Sequence, residues 1–175
     1  ALPIYNIDYN EHKFLPHRHV VREDTQVTTK IRPVFNASFK PNKNLPSLNE
    51  ASYQGVDLLN SMLKLMMHAR TNDILVIADI AKAFLQIHLS LESDRNRFSF
   101  FWRNKEGELK VYRFKTIIFG YSTSPFILNY VLQYHCESFP NDMCTEILKN
   151  RLYCDNLIFS GNNIQNVVTI YKQAC

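Results

Sequence analysis

The feature that most constrains the fold is a short apolar run that ends in an acidic residue. The segment from Ile74 to Ala78 is rich in β-branched residues and is followed directly by Asp79. A continuous apolar run of this length predicts a central strand that is buried on both faces. A carboxylate at the end of such a strand is held rigidly and still reaches solvent. Asp79 is therefore a candidate ligand for a hard cation, or simply the cap of the next turn.

A second acid lies in a predicted β-hairpin. Apolar residues occur from Arg151 to Cys154 and from Leu157 to Ser160, and the dipeptide Asp155-Asn156 separates these runs. Two turn-forming residues between two apolar runs are typical of a tight hairpin. If neighbouring strands bring Asp155 close to Asp79, the two carboxylates could hold Mg²⁺ ions. The alternative is that Asp155 has no metal-binding role and is present because aspartate is favoured in turns.

The other segments predict a mixed α+β chain. Residues 1–47 contain prolines and no glycine, which favours extended strands and loops, with a hairpin around Glu23-Asp24 between His19–Arg22 and Thr28–Phe35. The next predicted element is a helix whose wide apolar stripe consists of two adjacent i, i+4 rows, Leu58, Met62, Met66 and Leu59, Leu63, Met67. Strands are predicted from Arg97 to Trp102 and from Leu109 to Phe114. The later predicted helices are one that starts at Ser122–Pro125, where hydroxyl side chains would cap it, with Phe126, Ile127, Tyr130, Val131 and Tyr134 on one face, one around Met143 to Lys149, and one from about Asn163. This order is compatible with a ferredoxin-like sheet backed by helices.

Composition and charge exclude several classes of protein. Hydrophobic residues make up 46% of the 175 residues, which excludes a disordered or low-complexity chain. No run approaches the roughly 20 apolar residues of a membrane span, and residues 1–20 show no secretory signal. We therefore expect an intracellular protein, cytoplasmic or nuclear, without a membrane partner. The four cysteines lack the spacing of a zinc site, and no Gly-x-Ser-x-Gly motif supports a hydrolase.

Three segments resemble, in order, the palm motifs of reverse transcriptases. Asp79 is followed five residues later by the aromatic Phe84. A Gly-x-x-x-Ser-Pro helix start occurs from Gly120 to Pro125. The segment from Tyr153 to Asn156 is similar to the Tyr-x-Asp-Asp hairpin of that family, except at its last position.

Two upstream segments resemble the fingers of Pao/BEL-type long-terminal-repeat retrotransposons. They are Phe14 to His17 and Thr29 to Ser38, and the resemblance as a whole covers about residues 12 to 172. It implies an α+β fold with a ferredoxin-like polymerase palm and a fingers subdomain, and no thumb. The segments it implies within one reverse transcriptase-like domain are 1–72 (fingers with a connecting helix), 73–91 (first palm strand region), 92–120 (second fingers and palm strand pair) and 121–175 (palm helix, Tyr-Cys-Asp-Asn hairpin and terminal helix).

The resemblance also implies a role for each matching position. Asp79 and Asp155 would be catalytic carboxylates that bind Mg²⁺ or Mn²⁺, with Asn156 at the third catalytic position. The residues implied to bind the nucleotide are Lys30, Arg32, Ile80 (through its carbonyl), Phe84, Phe119 and Gly120. Those implied to lie beside the primer end are Tyr153 and Cys154. The alternatives are that Phe84 is an ordinary core aromatic, and that Lys30 and Arg32 belong to a solvated strand face.

Two positions depart from the family pattern. Asn156 replaces the second aspartate of the hairpin, and Asn36 stands where the Pao/BEL pattern has aspartate in Val-Phe-Asp-Ala-Ser. A neutral carboxamide at position 156 removes one negative charge from a site that would face divalent cations. The resemblance therefore implies a polymerase that is impaired.

Three functions follow from these observations. The first is an RNA-directed DNA polymerase domain that acts on an RNA or DNA template with a primer and on deoxynucleoside triphosphates, as part of a retroelement polyprotein. The second is a non-catalytic nucleic-acid-binding remnant, in which the basic fingers and exposed aromatic residues hold a strand. Asn156 favours this second function, whereas the intact Asp79, Phe84 and Asp155 argue against complete decay. The third is an inert globular relic.

Overall fold

The computed structural model describes residues 2–4, 8, 10–21, 31–140 and 143–174. The chain divides into two compact units, each built from two separate stretches. Unit 1 comprises Ala1–Gln54 and Phe84–Ser124, and unit 2 comprises Gly55–Ala83 and Pro125–Cys175. The unit boundaries thus follow residues 54, 83 and 124, whereas the sequence places segment boundaries after residues 72, 91 and 120.

Unit 1 contains a three-stranded antiparallel sheet and a two-stranded ribbon. The sheet has the order β1 (Leu2–Ile4), β6 (Leu109–Arg113), β5 (Ser99–Arg103). The ribbon pairs β2 (His17–Val21) with β3 (Ile31–Phe35). Both strand pairs predicted for this half of the sequence are therefore confirmed, whereas the turn predicted around residues 23–24 lies outside the described residues.

A polar turn closes the β5–β6 hairpin, as its sequence predicts. The backbone N–H of Asn104 donates to the carbonyl of Glu108 at 3.0 Å, and the N–H of Glu108 donates to the side chain of Asn104 at 2.8 Å. Gly107 has a φ of +85°, which only glycine adopts without strain. These bonds set the register in which Phe100 faces Tyr112 and Trp102 faces Lys110.

Short helices and a buried apolar cluster complete unit 1. The helices are α1 (Leu48–Ala51), α3 (Ala83–Gln86) and α4 (Glu92–Asn96). α1 begins with a capping box, because the Ser47 hydroxyl accepts from the Glu50 N–H while the Glu50 carboxylate accepts from the Ser47 N–H. The buried cluster consists of Leu15, Ala37, Leu48, Phe98 and Ile118.

Unit 2 is an antiparallel sheet with helices. The sheet has the order β4 (Ile74–Asp79), β8 (Asn156–Gly161), β7 (Leu152–Tyr153). The helices are α2 (Met62–Ala69), α5 (Ser124–Ser138), α6 (Met143–Arg151) and α7 (Ile164–Ala174). The core of this unit comprises Leu152, Leu157, Phe159 and Val167, against which Ile74, Val76 and Ala78 pack.

The hairpin strands and the last two helices of unit 2 confirm the sequence prediction. α6 begins at Met143, and α7 begins directly after Asn163. The Asn163 side chain accepts from the N–H groups of Gln165 and Asn166 at 2.8 and 3.2 Å. Asparagine in this position caps the free N–H groups of a first helical turn. In the described part of the chain, no helix is long and apolar enough to cross a membrane.

The prediction that β4 is buried on both faces is wrong. Its side chains alternate, with Ile74, Val76 and Ala78 partly buried and Leu75 and Ile77 exposed at 49% and 65%. Among the described strands β4 pairs only with β8, so it forms an edge of the three-stranded sheet. A continuous apolar run does not reveal which of its two faces a neighbour covers.

The predicted apolar stripe of α2 is also incorrect. The helix begins at Met62 instead of near Leu58, with Ser61 at its N-cap position. Its buried residue is Leu65 at 1% exposure, whereas Leu63 and Met67 are 71% and 64% exposed. The spacing correctly indicated a helix, but the face that packs contains Leu65 and not the two predicted rows.

α5 differs from the prediction in its cap and its buried face. The hydroxyls of Thr123 and Ser124 donate to the carbonyls of Tyr53 and Ile118, so they link separate segments and do not cap the helix. Of the predicted apolar face, Tyr130, Val131 and Tyr134 are exposed. The buried residues of α5 are Ser124, Leu128, Asn129 and Cys136. Hydroxyl side chains before a helix can therefore serve as ties to distant backbone.

Candidate active site

The pairing of β4 with β8 brings the predicted acidic residues together. Asp79, the last residue of β4, stands directly opposite Asn156, the first residue of β8. The next residue after β4, Ile80, donates its N–H to the carbonyl of Asp155 at 2.9 Å. Side chains directly opposite on neighbouring antiparallel strands lie on one face of the sheet. Asp79, Asp155 and Asn156 thus form one polar end of this sheet.

The hairpin turn consists of Cys154 and Asp155, one residue earlier than the sequence predicts. Tyr153 pairs with Asn156, and Leu152 pairs with Leu157. Asn156 is therefore a strand residue and not a turn residue. This shift places its side chain opposite Asp79.

The polar atoms at this end of the sheet are partly exposed. Asp79 is exposed, while Asp155 and Asn156 are half-buried. The Nδ2 of Asn156 donates to Oδ1 of Asp155 at 3.2 Å. Burial, and then the neighbouring Asp155 carboxylate, raise the pKa of the Cys154 thiol, which keeps the thiol protonated at neutral pH.

The donor atoms at this site are those that magnesium prefers. Asp79 and Asp155 offer carboxylate oxygens, and Asn156 offers the oxygen of its carboxamide. The Nδ2 of the same carboxamide is the atom that donates to Asp155, so the oxygen is not used in that bond. Mg²⁺ commonly binds proteins through one or two carboxylates and completes its shell with water and substrate phosphates. Among the residues that the structure describes, no three His, Cys, Asp or Glu side chains form a group that could hold a metal ion. The residues present therefore fit an open Mg²⁺ site in which two carboxylates would be the protein's charged ligands.

Two residues near these acids have an unusual backbone conformation. Lys82 and Cys154 have φ angles of +56° and +55°, and they are the two non-glycine residues with positive φ in the described ranges. A left-handed conformation costs a non-glycine residue roughly 1–2 kcal/mol. Cys154 directly precedes Asp155, and Lys82 follows Asp79 by three residues. Strain that concentrates in this way is often found at functional sites.

The residues predicted to bind the nucleotide lie in unit 1, apart from Ile80. Phe84 is 8% exposed and packs edge-to-face on Phe119 with a centroid distance of 4.8 Å, whereas Phe119 is 55% exposed. Arg32 is an exposed residue of β3, and Lys30 lies outside the described residues. The carbonyl of Ile80 accepts from the N–H of Ala83 at 3.2 Å.

Gly120 occupies a position that only glycine tolerates. Its φ is +85°, and a Cβ atom there would lie 3.1 Å from the carbonyl oxygen of Phe35. The absence of a side chain at Gly120 thus allows a close approach to the backbone at Phe35. Asn36, the second departure from the family pattern, accepts a hydrogen bond from the N–H of Ser38 through Oδ1.

The sequence reasoning missed Asn49, which holds the Gly120 turn. Its Nδ2 donates to the carbonyl of Gly120 at 3.1 Å and to Oγ of Ser38 at 2.9 Å. Its Oδ1 accepts from the N–H of Ser122 at 2.9 Å. One carboxamide therefore joins α1 to two other segments of unit 1.

We predict that Asn49→Ala loosens this turn. The change leaves the Ser122 N–H and the Gly120 carbonyl without their partner, and we expect a loss of about 1–2 kcal/mol in the free energy of unfolding. The backbone N–H of Ser122 should also exchange with solvent faster, as hydrogen-exchange measurements can show. Asn44→Ala, which removes an exposed amide from the same unit, is the control. Unchanged exchange at Ser122 would contradict the assigned bond.

Comparisons with known proteins identify the fold. No protein-family model and no curated protein matches this chain. A foamy viral protease-reverse transcriptase, solved in complex with an RNA/DNA hybrid, is similar in structure, with a TM-score of 0.61 at 14% sequence identity. The similarity covers 93% of this chain and 19% of that chain, so this chain spans about one fifth of its length. The chain therefore has a reverse-transcriptase-like α+β fold with a polymerase palm-like domain, as the sequence predicts.

Proposed function

We propose that this chain is the palm and fingers part of an RNA-directed DNA polymerase of the Pao/BEL type, weakened by Asn156. The observation that supports this proposal most directly is the β4–β8 pairing, which places Asp79 opposite Asn156 and ties Ile80 to Asp155. These acids are far apart in sequence and reach one end of one sheet. The reverse-transcriptase-like fold supports the proposal further, because the motifs that resemble the family's catalytic motifs contain the same residues.

The chemistry of the proposed reaction needs positioning more than covalent participation by the protein. Asp79 and Asp155 would hold Mg²⁺ or Mn²⁺, which would lower the charge barrier when a primer hydroxyl attacks the α-phosphorus of a deoxynucleoside triphosphate. The short hairpin holds Asp155 beside β4, so little reorganisation is needed at this end of the sheet. Tyr153 and Cys154 would lie beside the primer end.

Several residues are proposed to bind the nucleotide. Phe84 would exclude a 2′-hydroxyl by its bulk, and its burial against Phe119 fixes the ring. Lys30 and Arg32 would bind the triphosphate, with the arginine as a planar donor fork suited to phosphate oxygens. Phe119 and Gly120 would support the base. The hydrogen bond from Asn49 to the carbonyl of Gly120 would keep that turn in place. The template with its primer and the remainder of a retroelement polyprotein are the proposed partners.

The second candidate function is binding of nucleic acid without catalysis. Asn156 favours it, because a carboxamide at this position leaves the site with two carboxylates. A remnant of this kind would retard a primer–template in a gel at low salt and would not extend it. Primer extension measured beside gel retardation distinguishes the two functions.

The test of the polymerase function compares the two candidate acids with an acid near the other end of β4. We expect slow Mg²⁺- or Mn²⁺-dependent primer extension by the unaltered chain, and extension at background level by Asp79→Asn and by Asp155→Asn. Asp73→Asn is the matched control, since Asp73 is an exposed acid directly before the other end of β4. It should extend the primer as the unaltered chain does.

Two results would count against the proposal. Full primer extension by Asp155→Asn would show that the carboxylate of Asp155 is not needed to bind the metal. Equal losses in Asp79→Asn and Asp73→Asn would indicate a general effect of charge and not a specific site.

A further inference from the structure

Lys82 lies in a tight turn that begins directly after Asp79. The carbonyl of Ile80 accepts from the N–H of Ala83 at 3.2 Å, which closes a four-residue turn with Ala81 and Lys82 at its centre. Lys82 has a φ of +56°. A positive φ at the third residue is typical of a type II turn, which takes glycine or asparagine there. The turn therefore has a lysine where its backbone conformation favours glycine.

Both flanks of this turn are anchored in the fold. Ile80 packs against the core cluster of unit 2 that contains Phe159, and its N–H donates to the carbonyl of Asp155 at 2.9 Å. Ala83, at the other flank, is 2% exposed. Neither flank can move without losing these contacts. The turn therefore holds Lys82 in its left-handed conformation.

The left-handed conformation is unfavourable for a lysine. Its Cβ atom approaches the following carbonyl oxygen, a contact that glycine avoids because it has no Cβ. A lysine at such a position lowers the stability of the fold, whereas glycine would form the same turn without this loss. Strained positions that persist in this way are concentrated at functional sites. The turn alone therefore does not explain the lysine, but a role of its side chain does.

The side chain of Lys82 is available for a ligand. It is exposed, and it forms no ion pair with another residue that the structure describes. An ion pair with Asp79 would account for the lysine without any ligand, since Asp79 is an exposed acid three residues away. That pair is not formed. The ammonium group therefore lacks a carboxylate partner in the described ranges.

An anion is the ligand that this arrangement favours. Lys82 is the only lysine or arginine between Arg70 and Arg95, and it belongs to the same unit as Asp79 and Asp155. Mg²⁺ held by carboxylates completes its shell with water and substrate phosphates. Because the turn begins directly after Asp79, its lysine would lie close to phosphates that such a metal holds. A lysine ammonium is a compact charge with three donors, which suits phosphate oxygens.

We infer that Lys82 binds the phosphates of the incoming nucleoside triphosphate, and that its strained backbone is retained for this contact. The inference rests on the proposed function for the identity of the substrate. It rests on the turn for the residue and its role. Lys82 would thus bind the substrate directly, beside the metal-binding role proposed for Asp79.

Two substitutions of Lys82 separate its charge from its strain. Lys82→Gly removes the ammonium group and relieves the left-handed strain, so this variant should melt about 1–3 °C above the unaltered chain and yet bind polyphosphate more weakly. Lys82→Met keeps the Cβ atom and an unbranched side chain, so it should lose the binding without a gain in melting temperature. A residue with a purely structural role would not change stability and binding in opposite directions.

Binding is measured by isothermal titration calorimetry with inorganic triphosphate in Mg²⁺, which requires neither primer nor catalysis. The affinity should fall about tenfold in both Lys82 variants, as expected for the loss of one charge-assisted hydrogen bond. Lys64→Met is the matched control, since Lys64 is an exposed lysine of α2 in the same unit. Its affinity should stay within about twofold of the unaltered chain. Asp79→Asn should also weaken binding, because it removes a proposed ligand of the metal.

The outcomes distinguish this inference from the proposed function. Weaker binding by Asp79→Asn, with unchanged binding by Lys82→Met, would overturn the inference and leave the proposed function standing. Binding that depends on Lys82, but on neither Asp79 nor Mg²⁺, would sustain the phosphate contact and reject the metal site of the polymerase. Failure of the unaltered chain to bind triphosphate would overturn both. A Lys82→Gly chain that melts no higher than the unaltered chain would overturn the claim that strain is retained for this contact.

Discussion

The Asn156→Asp chain is expected to extend a primer about a hundred times faster in Mg²⁺ than the unaltered chain. Asn156 stands directly opposite Asp79, and it follows Asp155 in sequence. The substitution replaces a neutral carboxamide by a carboxylate of nearly the same shape. It therefore adds one negative charge to the end of the sheet that contains the other two acids. The expected gain is the stabilisation that this charge gives to bound divalent cations and thus to the transition state.

The same change should lower stability when no metal is present. Like charges directly opposite on neighbouring strands repel each other. The Asn156→Asp chain should therefore melt below the unaltered chain in a chelating buffer. Mg²⁺ should raise its melting temperature more than that of the unaltered chain, since an ion that binds only the folded state stabilises it by mass action. Thermal melts with and without Mg²⁺ measure this effect without any enzymatic assay.

A control of the same chemistry lies on α7. Asn166 is exposed in the first turn of that helix, so Asn166→Asp adds an equal charge far from Asp79 in sequence. It should change neither the rate of primer extension nor the Mg²⁺ dependence of melting. A rate for Asn156→Asp equal to that of the unaltered chain, together with melting that Mg²⁺ does not affect, would show that position 156 does not act on a metal.

The strands were largely predictable from sequence, while their exposure was not. The hairpins β5–β6 and β7–β8 follow from apolar runs joined by polar residues, and both form. The exposure of Leu75 and Ile77 could not be predicted, because it depends on which elements lie beside β4. For the same reason the spacing in α2 indicated a helix but not that Leu65 is its buried residue.

The candidate site was predictable where residues mark the end of a strand or a turn. Asp79 and Asp155 stand at such places, and the pairing of β4 with β8 brings the two segments together. The one-residue shift of the turn was not predictable, since it depends on the positive φ of Cys154. Asn49 carried no signal, because its partner Gly120 is 71 residues away and a single asparagine forms no pattern.

The largest expected effect on stability comes from Phe159. This residue of β8 is 4% exposed and lies in the core cluster with Leu152, Leu157 and Val167. Phe159→Ala removes a buried ring, and we expect a loss of about 3–5 kcal/mol in the free energy of unfolding of unit 2. Hydrogen exchange of the backbone N–H groups in β8, followed at increasing urea concentration, measures this loss in the unit concerned.

Phe139→Ala provides the comparison, because that ring is 58% exposed and its loss should change stability by less than about 0.5 kcal/mol.

The effect of Phe159→Ala should extend to the candidate site, since β8 carries Asn156 at one end and Phe159 within its length. Opening of β8 separates Asp79 from its partner strand, so Mg²⁺ should slow hydrogen exchange in β8 of an Asn156→Asp chain, and it should still do so when Phe159→Ala is added, because an ion that binds only the folded state stabilises it by mass action. If Mg²⁺ raised the melting temperature of the Asn156→Asp chain but left exchange in β8 unchanged, the metal would have to bind without the β4–β8 pairing, and the geometry that supports the polymerase function would not be the geometry that binds it.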